Sequence, residues 1–185
     1  MRSLPIHTTS LALRHLVLDD APALLRLNGE ASTGRWLPSH VYSDLSHAEA
    51  AVAYLIGCYS SPGDARHGPY VLGVELRHSG QLLGHVGFSP LDDEVEVSYA
   101  IAEGFRGHGY GAEALVEACH WAADAFALSS LTAVTASANA ASRRALDRAG
   151  FSHRGDARIR FQGAEEEVSR YVWFAAPSDG DVVGS

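Results

Sequence analysis

The sequence predicts one α/β (α+β) domain over residues 1–176, built on a mixed, mostly antiparallel sheet with helices on both faces. Three observations carry that prediction. Val95, Val97, Tyr99 and Ile101 fall on one face of a strand over Glu94–Ala102, with Glu94, Glu96 and Ser98 on the other. After Gly109 the period changes. Leu115, Cys119, Ala122 and Phe126 are spaced 4, 3 and 4 apart, one face of a helix whose other face carries Glu113, Glu117 and Asp124. A short apolar strand, Leu131–Thr135, follows that helix, and strand–helix–strand implies a parallel pair inside a sheet otherwise made of hairpins.

The remaining elements follow in order. Leu11, Leu13 and His15 share a face of a short strand starting near Thr9. Asp19 or Asp20 caps a helix carrying Leu24, Leu25 and Leu27. Residues 30–45, with Trp36, Pro38 and Tyr42, read as a loop. Ser46, with Glu49 at the third position, has the form of a capping box for a helix to about Tyr59. Past Pro62, Gly63 and Gly68, Tyr70–Leu76 is a strand, Ser79-Gly80 a hairpin turn and Gln81–Phe88 the return, with Asp92-Asp93 turning into the Glu94 strand. After Thr135, Asn139 opens a helix closed by Gly150. Phe151–Arg160 and Val168–Phe174 are closing strands joined by Gly163, and Pro177–Ser185 is a Gly/Asp/Ser-rich tail expected to be flexible.

Composition excludes several classes. With 46% apolar residues and 19% charged, the chain is neither disordered nor collagen-like. A net charge of −8 excludes a broad basic footprint, so no direct nucleic-acid or anionic-membrane partner is expected. Only Cys58 and Cys119 occur, the ten histidines are scattered, and neither CxxC nor HExxH is present, so no metal site is expected. Met1–Thr9 has no secretory pattern and no apolar run approaches a membrane span. The expectation is a cytoplasmic protein.

The most informative segment is Arg106-Gly107-His108-Gly109-Tyr110-Gly111-Ala112, between a strand and a helix. Successive backbone N–H groups at a helix N-terminus hold anions, and glycines let a phosphate approach them without a Cβ in the way. Gly107, Gly109 and Ala112 also fit a dinucleotide fingerprint, but context is against it. The loop does not follow a first strand, and the region about 20 residues on, Ala127-Leu128-Ser129-Ser130, carries no acidic residue for a ribose. A Walker loop fails because no Gly-Lys-Ser/Thr ends it.

Glu96-Val97-Ser98-Tyr99-Ala100-Ile101, the glycine loop through Leu115, Asn139-Ala140-Ala141-Ser142 and Ala149-Gly150-Phe151 together resemble the GNAT superfamily of acetyl-CoA-dependent N-acetyltransferases. The resemblance runs from about Thr9 to Phe174. Leu11-Ala12-Leu13-Arg14 followed by Asp20-Ala21 is similar to the opening of the RimJ/RimL-type branch, which acetylates N-terminal amines of ribosomal proteins and has relatives that modify small molecules. The resemblance implies acetyl-CoA as cosubstrate and a splayed parallel strand pair. Pantetheine would lie along Tyr99, Ala100 and Ile101, and the pyrophosphate on Arg106, Gly107, His108, Gly109, Tyr110, Gly111 and Ala112. Asn139 matches a residue that hydrogen-bonds pantetheine, although Asn before a helix is also a good N-cap.

For catalysis, the resemblance implies a proton donor to the leaving sulfur. Many members carry a tyrosine seven positions after the Asn; here that position is Leu146, which excludes it. Ser142, three positions after Asn139, matches the serine assigned this role in the RimJ/RimL-type branch. Glu96 is the candidate base, acting through water. A strong base is unnecessary for an α-amine, whose pKa of about 7.8 leaves it partly neutral, unlike Lys at about 10.4. Tyr99 and Trp36 are candidate pocket walls, Arg143 and Arg144 candidate phosphate contacts, and Glu165-Glu166-Glu167 a candidate attractor of a cationic amine. Three acceptor readings stay open: a protein or peptide N-terminal amine, a small amine such as an antibiotic or polyamine, or a sensor that binds acetyl-CoA without turnover. A homodimer is compatible with the resemblance, and the sequence is silent on it.

Overall fold

Backbone pairing in a computed structural model, which describes residues 3–161 and 164–176, joins eight strands into one sheet among the described residues. They are β1 (Ile6–His7), β2 (Leu11–His15), β3 (Tyr70–Leu76), β4 (Leu82–Leu91), β5 (Glu94–Ile101), β6 (Ser130–Ala136), β7 (Ser152–Phe161) and β8 (Ala164–Phe174), in the order β1-β2-β3-β4-β5-β6-β8-β7. Every neighbouring pair is antiparallel except β5–β6. The helices are α1 (Ala21–Asn28), α2 (Ala31–Trp36), α3 (Leu45–Cys58), α4 (Tyr110–Phe126) and α5 (Ala140–Arg148).

Alternation on the central strands supplies two apolar faces. Leu13, Leu72, Val86 and Val97 pack with Leu115, Cys119 and Phe126 of α4, all buried. On the opposite side Leu16, Ala21, Leu24, Ala48 and Val52 form a second cluster, with Val71 against it. The expected mixed sheet with helices on both faces is therefore present, and the helical stripe of α4 points into the core as its spacing requires.

Several local expectations change, each for a physical reason. The segment expected as a loop over 30–45 contains α2 and a 3-10 turn, Pro38–His40. Contacts from the distant Arg106 to Glu30, Ser32 and Thr33 hold it, so no local periodicity announces it. Asp20 precedes α1 but makes no side-chain cap bond; its carboxylate accepts from Arg14 and from the Val17 amide instead. Helix α3 is capped by Asp44, which accepts from the His47 N–H at 2.9 Å, so Ser46 and Glu49 lie inside it. Val134, whose side a short strand would bury, is half-buried because the sheet opens there. Of Glu113, Glu117 and Asp124, expected to be exposed on the polar face of α4, Asp124 is exposed while Glu113 and Glu117 are half-buried; Glu113 accepts from the Thr8 hydroxyl (2.5 Å) and the Ser10 amide (2.8 Å). Strand β1 was not foreseen. Gly163 and the tail Pro177–Ser185 lie outside the described residues.

Arg14 links β2, β3 and the start of α1. Its guanidinium donates to Asp20 at 2.7 and 2.9 Å and to Glu75 at 2.7 Å. Asp20 is only 5% exposed, so truncating its partner leaves a buried carboxylate uncompensated. Arg14→Ala should lower the unfolding free energy by about 3 kcal/mol, the low end for a broken buried pair because Arg14 keeps some solvent contact. Urea denaturation measures it, and a loss below about 1 kcal/mol, the value of a surface pair, would show that water replaces the arginine.

Candidate functional site

Strands β5 and β6 meet at a single parallel pairing, Glu96 with Thr132. Below it Glu94 accepts from the Thr132 hydroxyl (2.5 Å) and from Arg170 of β8 (2.5 Å), closing that end. Beyond it the strands diverge into a V, and a cavity of about 310 Å³ fills the opening. Its walls are Val97, Tyr99, Ala100 and Ile101 of β5 and Ala133–Ala136 of β6. From α2 come Trp36, Ser32 and Thr33; from α5 come Ser142, Arg144, Leu146 and Arg148.

The glycine loop forms one end of this cavity. Gly107 and Gly109 have φ of +81° and +87°, a conformation that L side chains rarely adopt. A Cβ at either would meet no atom within 4 Å, so the backbone angle requires glycine while the space before the amides stays open. Helix α4 begins at Tyr110 with no side-chain cap. The amides of residues 107–112 have no hydrogen-bond partner among the described residues. Unpaired donors at the positive end of a helix are the donor set an anion needs. The cradle fits a pyrophosphate, and the β5 edge left bare by β6 fits the amide groups of a pantetheine arm.

The loop's side chains are less free than its backbone. Arg106 donates through Nε to the Ile101 carbonyl (2.7 Å) and through its other nitrogens to Ser32, Thr33 and Glu30. That arginine fixes the loop and α2 to the end of β5. His108 is turned away, its Nδ1 2.9 Å from the Arg106 carbonyl and its ring stacked on Tyr110; it does not line the cavity, whereas Gly107, Gly109, Tyr110, Gly111 and Ala112 do. Arg143 donates to the Tyr171 hydroxyl at 3.2 Å and lies outside the cavity wall. Arg144 and Arg148, one helical turn apart, both line the cavity, and only Arg144 was anticipated.

Among the catalytic candidates, Ser142 is placed in the cavity. Its amide donates to Asn139 Oδ1 at 3.1 Å, so Asn139 does cap α5 while also lining the cavity. The Ser142 hydroxyl lies against the phenol of Tyr99, whose pKa burial raises and the serine partly restores. Leu146 is buried in the wall. Glu96 lies at the closed end of the V, outside the cavity wall. Burial raises its carboxyl pKa, with a bond from the Val134 amide acting the other way. Glu165, Glu166 and Glu167 also lie outside this cavity's wall; on β8 they pair with Arg160, Ile159 and Arg158 of β7.

A second cavity, of about 300 Å³, lies on the other face of the sheet between β3, β4, α1 and α3. Ser98 lines both cavities. His40, His85, Tyr42 and Tyr54 line the second one, and none was singled out by sequence. The available signal was weak: alternation along β4 puts His85 on the same face as Gly87 and Ser89, but nothing in it points to the distant His40. Among the described residues no group of three or more His, Cys, Asp or Glu is placed to hold a metal, and no helix is long and apolar enough to cross a membrane.

The burial of Glu96 has a measurable sign. A carboxyl whose folded pKa is raised costs stability once ionised, so its folded form is favoured below the unfolded pKa and loses ground as pH rises through the folded pKa. Glu96→Gln should therefore stabilise the protein at pH 7, with the gain vanishing as pH falls below the ordinary carboxylate range. Melting temperatures of both proteins across pH 3.5–7.5 test this, and a gain that persists undiminished at the acid end would contradict it.

Comparison with known proteins agrees with this geometry. No curated protein matches the sequence. Among solved structures the fold is similar to that of RimL, a ribosomal-protein alpha-N-acetyltransferase in complex with coenzyme A, at 19% identity and a TM-score of 0.76, covering 90% of this chain and 95% of that one. It is similar to RimJ of Mycobacterium smegmatis in complex with CoA-disulfide (19%, TM-score 0.74, 89% and 82% covered). It is likewise similar to the microcin self-immunity acetyltransferase MccE in complex with acetyl-CoA and AMP (16%, TM-score 0.74, 91% and 94% covered). Residues 10–152 match the acetyltransferase (GNAT) domain. A match over that much of the chain makes this protein a member of the GNAT family of acetyl-CoA-dependent N-acetyltransferases.

Proposed function

We propose that the protein moves an acetyl group from acetyl-CoA directly to the α-amine of a peptide or protein N-terminus, within a ternary complex in the cytoplasm. The observation that carries the reading is the open V, which leads from the unpaired amides of residues 107–112 along the bare edge of β5 to Ser142. Arg144 and Arg148 add positive charge to the same cavity, which is how a chain of net charge −8 receives an anionic cosubstrate.

The chemistry asks little of the side chains. The neutral amine attacks the thioester carbonyl; a C–N bond forms, the C–S bond breaks, and the amine proton leaves. The Ser142 hydroxyl, beside the Tyr99 phenol, supplies a hydrogen bond or proton to the departing sulfur. Glu96, its pKa raised by burial, takes the amine proton through water from the closed end of the V. A covalent route is disfavoured, because Cys58 and Cys119 are both buried and burial pushes the Cys119 thiol further from thiolate.

Two variants separate binding from chemistry. Gly109→Val places a β-branched residue at φ +87° and disturbs the amide cradle. It should lose most of the rise in melting temperature that acetyl-CoA gives the wild type. Unchanged affinity in a folded Gly109→Val protein would remove the cradle from the account. Ser142→Ala should lower kcat by about 10²–10⁴ with the KM for acetyl-CoA little altered. Near-normal turnover would leave Tyr99 or water as the donor. A trapped acetyl-cysteine would replace direct transfer by a two-step route, and binding without any turnover would leave a sensor.

A further inference from the structure

We propose that the second cavity receives the group attached to the acceptor amine, and that this group is uncharged and mainly apolar. The proposal rests on the acetyl-transfer reading above and narrows its substrate class. Position is the first argument. The cavity lies across the sheet from the open V, and Ser98 lines both, so an occupant reaches β5 from the side opposite the cosubstrate.

Size and lining are the second. The cavity holds about 300 Å³, whereas an apolar cavity of roughly 150 Å³ already accepts benzene. Leu16, Leu24, Ala51, Leu55 and Val71 supply apolar wall, and no Asp, Glu, Lys or Arg is among the lining residues. Asp20 and Glu75, on the same side of the sheet, are already paired with Arg14. A polyamine or a lysine side chain would leave water here without a carboxylate to receive its charge.

The third argument is a neutral histidine. His85 is 4% exposed. Desolvation and the neighbouring His40, 5.7 Å away between ring centres, hold its imidazole neutral with a pKa of about 3. It therefore brings to the wall no charge that would recruit an acidic acceptor.

Acetylation rates at saturating acetyl-CoA test this. The acceptors are tetrapeptides differing only in a first residue of Phe, Leu, Asp or Lys, together with 2-phenylethylamine, tyramine and spermidine. The Phe- and Leu-first peptides should exceed the Asp- and Lys-first ones in kcat/KM by at least about tenfold, and the arylalkylamines should exceed spermidine similarly. Ala51→Phe, which fills part of the cavity from α3, should remove the Phe- and Leu-first preference while keeping the melting-temperature rise given by acetyl-CoA. If Ala51→Phe does not fold, the wild-type ranking still decides. Melting-temperature shifts given by 2-phenylethylamine and spermidine read the same preference without turnover. Equal use of charged and apolar acceptors, or a preference unchanged in a folded Ala51→Phe protein, overturns the proposal while leaving acetyl transfer standing. Failure to bind acetyl-CoA would instead remove the reading beneath it.

Discussion

The structure turns on the single parallel pairing between Glu96 and Thr132. A sheet gains by pairing every strand edge, and β5 and β6 forgo that after one rung. Glu94 fastens the closed end to Thr132 and Arg170. The diverging ends leave backbone donors and acceptors that a bound amide chain can satisfy as a strand would. The cavity, the glycine loop and the placement of α4 and α5 all follow from that opening.

What holds the opening in place is more ordinary. Arg106 ties the end of β5 to α2, and Arg14 ties β2 and β3 to the start of α1. Each arginine is an ionic link between the sheet and a segment that covers it, and each satisfies a carboxylate or carbonyl that burial would leave short. The site is thus assembled from a rigid sheet on one side and short helices pinned by charge on the other. Its unpaired backbone amides, with Arg144 and Arg148 in the same cavity, are a donor set suited to an anion, so an acidic chain can receive an acidic cosubstrate without a basic surface.

The sequence made the fold legible wherever one period ran long enough. Val95, Val97 and Ile101, and Leu115, Cys119 and Phe126, are buried as their spacing predicts. The glycine loop was legible because Gly107 and Gly109 occupy backbone angles that other residues avoid. Helix α2 was not, because six residues carry too little pattern and long-range bonds from Arg106 decide it. Asp20 shows the same limit: its carboxylate goes to Arg14, a choice made by tertiary contact rather than local chemistry. The second cavity was hidden for a related reason. His40 and His85 are far apart in sequence and meet only when β4 and the turn after α2 pack together.

The most direct test of the account is backbone amide hydrogen exchange with and without acetyl-CoA. In the free protein, the amides of residues 107–112 and those of β5 beyond Glu96 that face β6 should exchange rapidly, while β4 and the buried face of α4 stay protected. Acetyl-CoA should slow both fast sets together, because one bound molecule pairs with the loop and the strand edge at once. Protection of both sets in the free protein, or binding of acetyl-CoA that leaves their exchange unchanged, would contradict the claim that the opened β5–β6 pair is the binding element.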